Sequence, residues 1–187
     1  MQNILKKLKI KRRAITALMA LHFYGNPGAK LKIVGVTGTN GKTTTTTLLY
    51  KIATALGYKA GLIGTVENMI AGEKVSATHT TPDPLFLNKL LSKMVEKGCE
   101  YVFMEVSSHA LDQNRVAGIK FTGGIFTNLT HDHLDYHKSF ENYFNAKKKF
   151  FNGEITYLQW AEHDINLCQE KNAKKEDFFR AISDLKL

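Results

Sequence analysis

Blocks of apolar residues alternate with helix-spaced blocks along most of the chain. The apolar run Leu31 to Val36 breaks into the glycine-rich segment Gly38 to Thr43, and a helical pattern follows from Lys42 to about Leu56. Gly57 then supplies a left-handed cap. Ala60 to Val66 is a second strand, and the polar stretch Glu73 to Thr78 is expected to be a surface connection. Asp83-Pro84 is a helix start, with Asp83 as N-cap and Pro84 at the first position. Leu87, Leu90, Leu91, Met94 and Val95 then recur at the spacing of one helix face, and Gly98 ends it. Tyr101 to Val106 and Phe121 to Leu129 read as two more strands. Another helix opens at Ser139 with Phe140, Tyr143, Phe144 and Phe151 on its apolar face.

The two ends read differently. Ile4, Leu8, Ile15, Leu18 and His22 form one helical stripe, interrupted at Lys11 and ending near Gly25, behind a basic run from Lys6 to Arg13. Gly153 to Leu187 holds a short apolar stretch around Ile155 to Trp160 and a predicted amphipathic helix with Phe178, Ile182 and Leu185 on one side.

Strand–helix alternation predicts an α/β fold, a mostly parallel sheet with helices on both faces. In such sheets ligands bind beyond the carboxyl ends of the strands. The expected organisation is a basic helix over residues 1–30, a nucleotide-binding domain over 31–152 and a divergent tail over 153–187.

Gly38-Thr39-Asn40-Gly41-Lys42-Thr43 between a strand and a helix is the short form of a phosphate-binding loop; the strict pattern would need glycine where Val36 stands. Glycines let backbone N–H groups approach phosphate oxygens, Lys42 adds a positive charge for the β- and γ-phosphates, and the Thr43 hydroxyl suits Mg²⁺. A plain Gly/Asn turn with a solvated lysine is the competing reading. Five consecutive threonines, Thr43 to Thr47, are poor helix formers, so their hydroxyls are expected to serve phosphate, metal or backbone.

Glu105 interrupts an apolar strand near its end. A buried carboxylate needs a cation or donors around it, so a Mg²⁺ role competes with that of an edge-strand glutamate facing water. Thr130 to His137 holds His131, His133 and His137 with Asp132 and Asp135. A zinc site, solvated histidines, or one histidine as metal or phosphate ligand all fit that composition. Lys147 falls on the aromatic face of its helix. Such a lysine either snorkels to water or loses its proton and becomes reactive.

Composition narrows the class. The chain has 187 residues, 43% hydrophobic, enough for a packed core. Its net charge of +9 fits anionic small molecules as well as nucleic acid, and no nucleic-acid motif tips the balance toward the latter. Cys99 and Cys168 form no CxxC pair, which makes a reduced, cytoplasmic setting the default. No stretch is long enough to span a membrane.

Four segments together resemble the Mur ligases: Gly38 to Thr44, His79-Thr80-Thr81-Pro82-Asp83-Pro84, Met104 to Leu111, and Phe126 to His137. The likeness covers about residues 14 to 152, with no family motif after Asn152, and the chain looks truncated beside the family. It is closest to the branch that adds the third stem-peptide residue, diaminopimelate or lysine, to UDP-MurNAc-L-Ala-D-Glu in peptidoglycan precursor synthesis. The resemblance implies ATP bound by Gly38, Thr39, Asn40, Gly41, Lys42, Thr43 and Thr44. It implies Mg²⁺ held by Thr43, Glu105 and His133, and a CO₂-derived carbamate on Lys147 as a further metal ligand. Lys42, His133 and Lys147 would carry the catalytic roles. Thr80, Thr81, Ser107, Gln113 and Arg115 would hold the UDP-MurNAc-dipeptide. A related ligase such as folylpolyglutamate synthase, or a nucleotide-binding remnant without ligase activity, are the rival expectations.

Overall fold

The computed structural model describes residues 15–128 together with Thr130 and Lys147. The chain divides into two compact units, residues 1–150 and 151–187, and every described residue belongs to the first. The strand end at Leu129, the histidine cluster from His131, the helix from Ser139 apart from Lys147, Cys168, and the tail with Phe178, Ile182 and Leu185 lie outside the described residues.

Helix α1 spans residues 15–23 of the described chain. A 3-10 turn, Pro27–Lys30, leads into β1 (Lys32–Thr37). Then follow α2 (Lys42–Ala55), β2 (Ala60–Ile63), β3 (Asn68–Ile70), β4 (Glu73–Val75), α3 (Pro84–Glu96), β5 (Tyr101–Glu105), α4 (Ser108–Asp112) and β6 (Gly123–Phe126). The sheet order is β4-β3-β2-β5-β1-β6. Pairings β2–β5, β5–β1 and β1–β6 are parallel, and β2–β3 and β3–β4 antiparallel. Thus a parallel core carries an antiparallel hairpin at one edge.

Alternation along the central strands sends side chains to two faces. Ile33, Val102 and Met104 join Leu87, Leu90, Leu91 and Met94 of α3 in the larger cluster. Val34, Phe103 and Leu62 join Leu49, Tyr50 and Ala53 of α2 on the opposite face. The apolar spacing of α3 seats four of its residues in the core, and Asp83 accepts hydrogen bonds from the amides of Leu85 and Phe86 at 3.0 and 3.1 Å. Two orphan donors of the first turn are thereby satisfied. Contact here is close enough to forbid a side chain on β2: a Cβ at Gly61 would stand 2.5 Å from the Met94 sulfur.

Several elements differ from the sequence reading. Glu73 to Val75 is not a connection but strand β4, an edge strand too short and too charged to show alternation. It is joined to β3 by Ala71 and Gly72, both at positive φ (49° and 91°), the geometry of a two-residue hairpin turn. Strand β2 stops at Ile63, three residues before Val66, because the chain bends at Thr65 and Val66. In α1 the buried face is the small one, Ala17 and Ala20, while Ile15 and Leu18 are more than half exposed and His22 is exposed as well. Small residues let a helix approach closely, which volume-weighted stripe reading does not detect. Not all of the threonine hydroxyls of α2 face the loop. The buried Thr46 returns its proton to the carbonyls of Lys42 and Thr43, so backbone absorbs part of that run.

Candidate active site

The carboxyl ends of three parallel strands, β1, β2 and β5, meet at one cavity of about 430 Å³. The loop after β1 supplies its first wall. Gly38 and Gly41 stand at φ 148° and 84°, conformations that L side chains rarely adopt. A Cβ at Gly38 would also collide with the Thr127 hydroxyl after β6. The Asn40 amide donates to Asn128 Oδ1 and the Thr39 amide to the Asn128 carbonyl, both at 2.9 Å. The Thr130 amide donates to Thr39 Oγ1 at 3.0 Å. The loop is therefore held in shape by the segment that follows the neighbouring parallel strand.

Lys42, in the first turn of α2, donates from Nζ to the carbonyls of Gly38 and Thr39, each at 2.8 Å. Its ammonium is thus folded over the loop it would share with a phosphate. Beside it the Thr43 hydroxyl donates to Glu105 Oε2 at 3.0 Å. Glu105 ends β5, opposite Val36 of β1 in the register, and is 1% exposed. Its burial is offset by three donors: the Thr43 hydroxyl, the Thr65 amide at 2.9 Å and the Thr65 hydroxyl at 3.1 Å. The edge-strand alternative is thereby removed, since β5 lies inside the sheet.

The second wall comes from residues 79–81 and the β5–α4 corner. Thr81 is 1% exposed. Its hydroxyl donates to the Glu105 carbonyl at 2.9 Å and accepts from the Ser107 amide at 3.0 Å. Ser107 in turn caps α4 by accepting from the Ala110 amide. Asn114, left-handed at φ 55°, ends that helix and turns the chain back. Arg115 then donates to the Thr81 carbonyl at 2.8 Å and is gripped by Gln113 Oε1 through Nε and Nη2. Gly38 to Thr43, Thr80, Thr81, Glu105, Ser107, Arg115 and Lys147 all line the cavity; Thr44 and Gln113 do not, although Gln113 holds the Arg115 that does. Lys147 is helical and 2% exposed, so it does not snorkel to water. His133 lies outside the described residues.

Oxygen donors of Thr43 and Glu105 converging beside a lysine suit Mg²⁺, which takes one or two carboxylates and completes its shell with water and phosphate. No cluster of three or more His, Cys, Asp or Glu occurs among the described residues. Sequence reading gave no role to Thr65, His79, Ser108 and His109, which also line the cavity. For Thr65 the available signal was Gly64-Thr65 at the carboxyl end of a parallel strand, obscured by extending that strand to Val66.

A family model described as Mur ligase middle domain matches residues 36–178. The chain belongs to the Mur ligase family. That match runs past Asn152, where the likeness was expected to stop, so it extends further toward the C-terminus than the motifs indicate. Motifs mark ligand contacts, and a segment without such contacts can keep its family pattern unnoticed in a single sequence. A Bacteroides fragilis protein named UDP-N-acetylmuramoyl-L-alanyl-D-glutamate--2,6-diaminopimelate ligase is 63% identical over 176 residues, 89% of this chain and 36% of that protein. A Clostridium tetani protein of the same name is 52% identical over 183 residues, 96% of this chain and 38% of its own. A solved structure of a ligase with that name superposes with TM-score 0.59 at 36% identity, covering 65% of this chain and 24% of that one. The chain thus spans between about a quarter and little more than a third of the length of these relatives. The mostly parallel architecture seen here is shared with that solved ligase. No helix among the described residues is long and apolar enough to cross a membrane.

Proposed function

We propose that this chain is the nucleotide-binding part of an ATP-dependent cytoplasmic ligase. That ligase adds the third stem-peptide amino acid to UDP-MurNAc-L-Ala-D-Glu. The observation that carries the reading is one cavity in which a phosphate loop, its Lys42 and Thr43, and the buried Glu105 face Thr80, Thr81 and Arg115. Activating a carboxylate with ATP requires two anions to meet, and the residues around them must offset that repulsion. Lys42 and the loop amides, Gly38 to Thr44, would hold the β- and γ-phosphates. Thr43 and Glu105, with His133, would hold Mg²⁺, which when bound offsets phosphate charge. Arg115, aimed by Gln113 and by the Thr81 carbonyl, would hold the acceptor's carboxylate, with Thr80 and Ser107 beside it. The carboxylate would attack the γ-phosphorus, ADP would leave, and an amine would displace phosphate from the acyl phosphate to form the amide.

The names of the relatives favour 2,6-diaminopimelate over lysine as the amine, and disfavour a folate acceptor. Lys147 would carry a carbamate, made by addition of its neutral amine to CO₂. The support is its near-complete burial within the same cavity as Glu105. A carbamate signal on adding ¹³C-bicarbonate, absent in Lys147→Ala, is the expected nuclear magnetic resonance result.

The decisive experiment is phosphate release by the purified chain, measured with ATP and each substrate omitted in turn, beside calorimetric binding of ATP and of UDP-MurNAc-L-Ala-D-Glu. Mg²⁺-dependent ATP binding together with binding of the dipeptide-linked nucleotide supports the reading. ATP binding with no affinity for that acceptor favours the nucleotide-binding remnant. A chain that binds neither overturns the proposal.

A further inference from the structure

Glu105 does not hold its position alone. The Gly64-Thr65 corner at the end of β2 forms a cradle for its carboxylate. A Cβ at Gly64 would lie 2.5 Å from Glu105 Oε1, so the carboxylate packs directly against glycine backbone. The Thr65 amide donates to Oε1 at 2.9 Å and the Thr65 hydroxyl to Oε2 at 3.1 Å. Thr65 Oγ1 also lies 3.0 Å from Thr80 Oγ1. A carboxylate only accepts, and a hydroxyl has one proton. Thr65 therefore gives its proton to Glu105, and Thr80 supplies the proton of the second bond. The result is a chain from Thr80 through Thr65 to the oxygen that Thr43 also approaches.

We propose that Thr65 is a positioning residue. It fixes the Glu105 carboxylate toward Thr43 and ties it to Thr80, joining the nucleotide wall of the cavity to the opposite wall. The inference rests on the reading of Glu105 as a ligand of the nucleotide's divalent cation. Backbone alone would hold only Oε1. The Thr65 hydroxyl joins Thr43 on the second oxygen, so that one residue grips both oxygens and sets the rotation of the carboxylate about its last bond, on which cation geometry depends. Among the described residues Thr80 makes no hydrogen bond to Glu105, so its influence on the cation passes through Thr65.

The test uses the whole 187-residue chain, with Mn²⁺ as a paramagnetic probe and a non-hydrolysable ATP analogue. Mn²⁺ affinity is read by electron paramagnetic resonance, and folding of each variant by circular dichroism and thermal melting without metal. Thr65→Val keeps size and amide but loses the hydroxyl. It is expected to weaken Mn²⁺ binding by about tenfold, the low end for a hydrogen bond to a charged group, while Thr65→Ser restores it. Thr80→Val is expected to weaken Mn²⁺ binding by about twofold to threefold, as one neutral hydrogen bond would, and to have no further effect in the Thr65→Val background. If Thr65→Val does not fold, the Thr80→Val and Thr65→Ser results still decide. Unchanged affinity in Thr80→Val, or a Thr65→Ser chain as weak as Lys42→Ala, then overturns the proposal. Thr65→Val folded and indistinguishable from wild type also overturns it, leaving the function proposed above intact. A wild-type chain that binds no Mn²⁺ with the analogue overturns both.

Discussion

At the scale of single residues, Lys42 and Cys99 give the sharpest expectations. Lys42 donates to two carbonyls at the rim of the loop, where its ammonium would meet a phosphate. Removing it deletes a charge-assisted contact. Lys42→Ala is expected to lower ATP affinity by about tenfold to a hundredfold, a loss of ~1.5–3 kcal/mol; equal affinity by calorimetry would sink the phosphate-loop assignment. Cys99 is 6% exposed, and burial pushes its thiol above the ordinary value of 9.0, offset in part by the Ala71 backbone and Lys59. The folded state therefore keeps the thiol proton to higher pH than the unfolded one. The stability this contributes is fully present below the ordinary thiol range and is lost as pH rises through and beyond it. Urea titrations between neutral pH and pH 10 should show a steeper loss of stability in wild type than in Cys99→Ala. Parallel curves would contradict this.

At the scale of elements, α3 shows local chemistry and packing in agreement. Its cap satisfies two amides and its spacing buries Leu87, Leu90, Leu91 and Met94. Asp83→Ala is expected to destabilise the chain by about 1 kcal/mol, the usual size of a lost N-cap. Asp83→Asn or Asp83→Ser should recover most of it in chemical denaturation. This helix was fully legible in the sequence because cap, proline, period and terminal glycine all point one way. So was the loop of Gly38 to Thr43, whose glycines have few other uses. The β3–β4 hairpin was not legible, since its three-residue strands are shorter than any periodicity and its turn uses Ala71 in a left-handed conformation. The orientation of α1 was misread for a different reason, namely that burial there follows closeness of approach and not side-chain size. In the site, Glu105 and Lys147 stood out as polar groups in apolar patterns. Thr65 did not, because its role depends on which strand end lies beside Glu105, and strand order is a tertiary fact.

At the scale of the whole molecule, the order β4-β3-β2-β5-β1-β6 sets a gradient of protection. Strands β5 and β1 have hydrogen-bonded neighbours on both sides and a helix-covered core on both faces. Strand β4 is a partly exposed three-residue edge. Native-state amide exchange should therefore be slowest in Val102 to Met104 and Ile33 to Val36, and fastest in Glu73 to Val75. Faster exchange in the central pair than at the edge would overturn the sheet order described here.

The contact between Gly61 and Met94 carries a consequence for how this sequence is free to drift. Gly61 has ordinary backbone angles, so it is the Met94 side chain, its sulfur 2.5 Å and its terminal methyl 2.7 Å from the would-be Cβ, that excludes a side chain. That sulfur sits on a long, pliable chain with no exposed surface, and volume lost there is volume available to β2. The two sites should behave as one shared allotment of space. Gly61→Ala alone is expected to cost about 1–3 kcal/mol through overpacking, and Met94→Ala alone about 2–5 kcal/mol through a cavity. The double substitution should fall well short of their sum. Among descendants of a common ancestor, a side chain gained at the first position should coincide with a shorter one at the second.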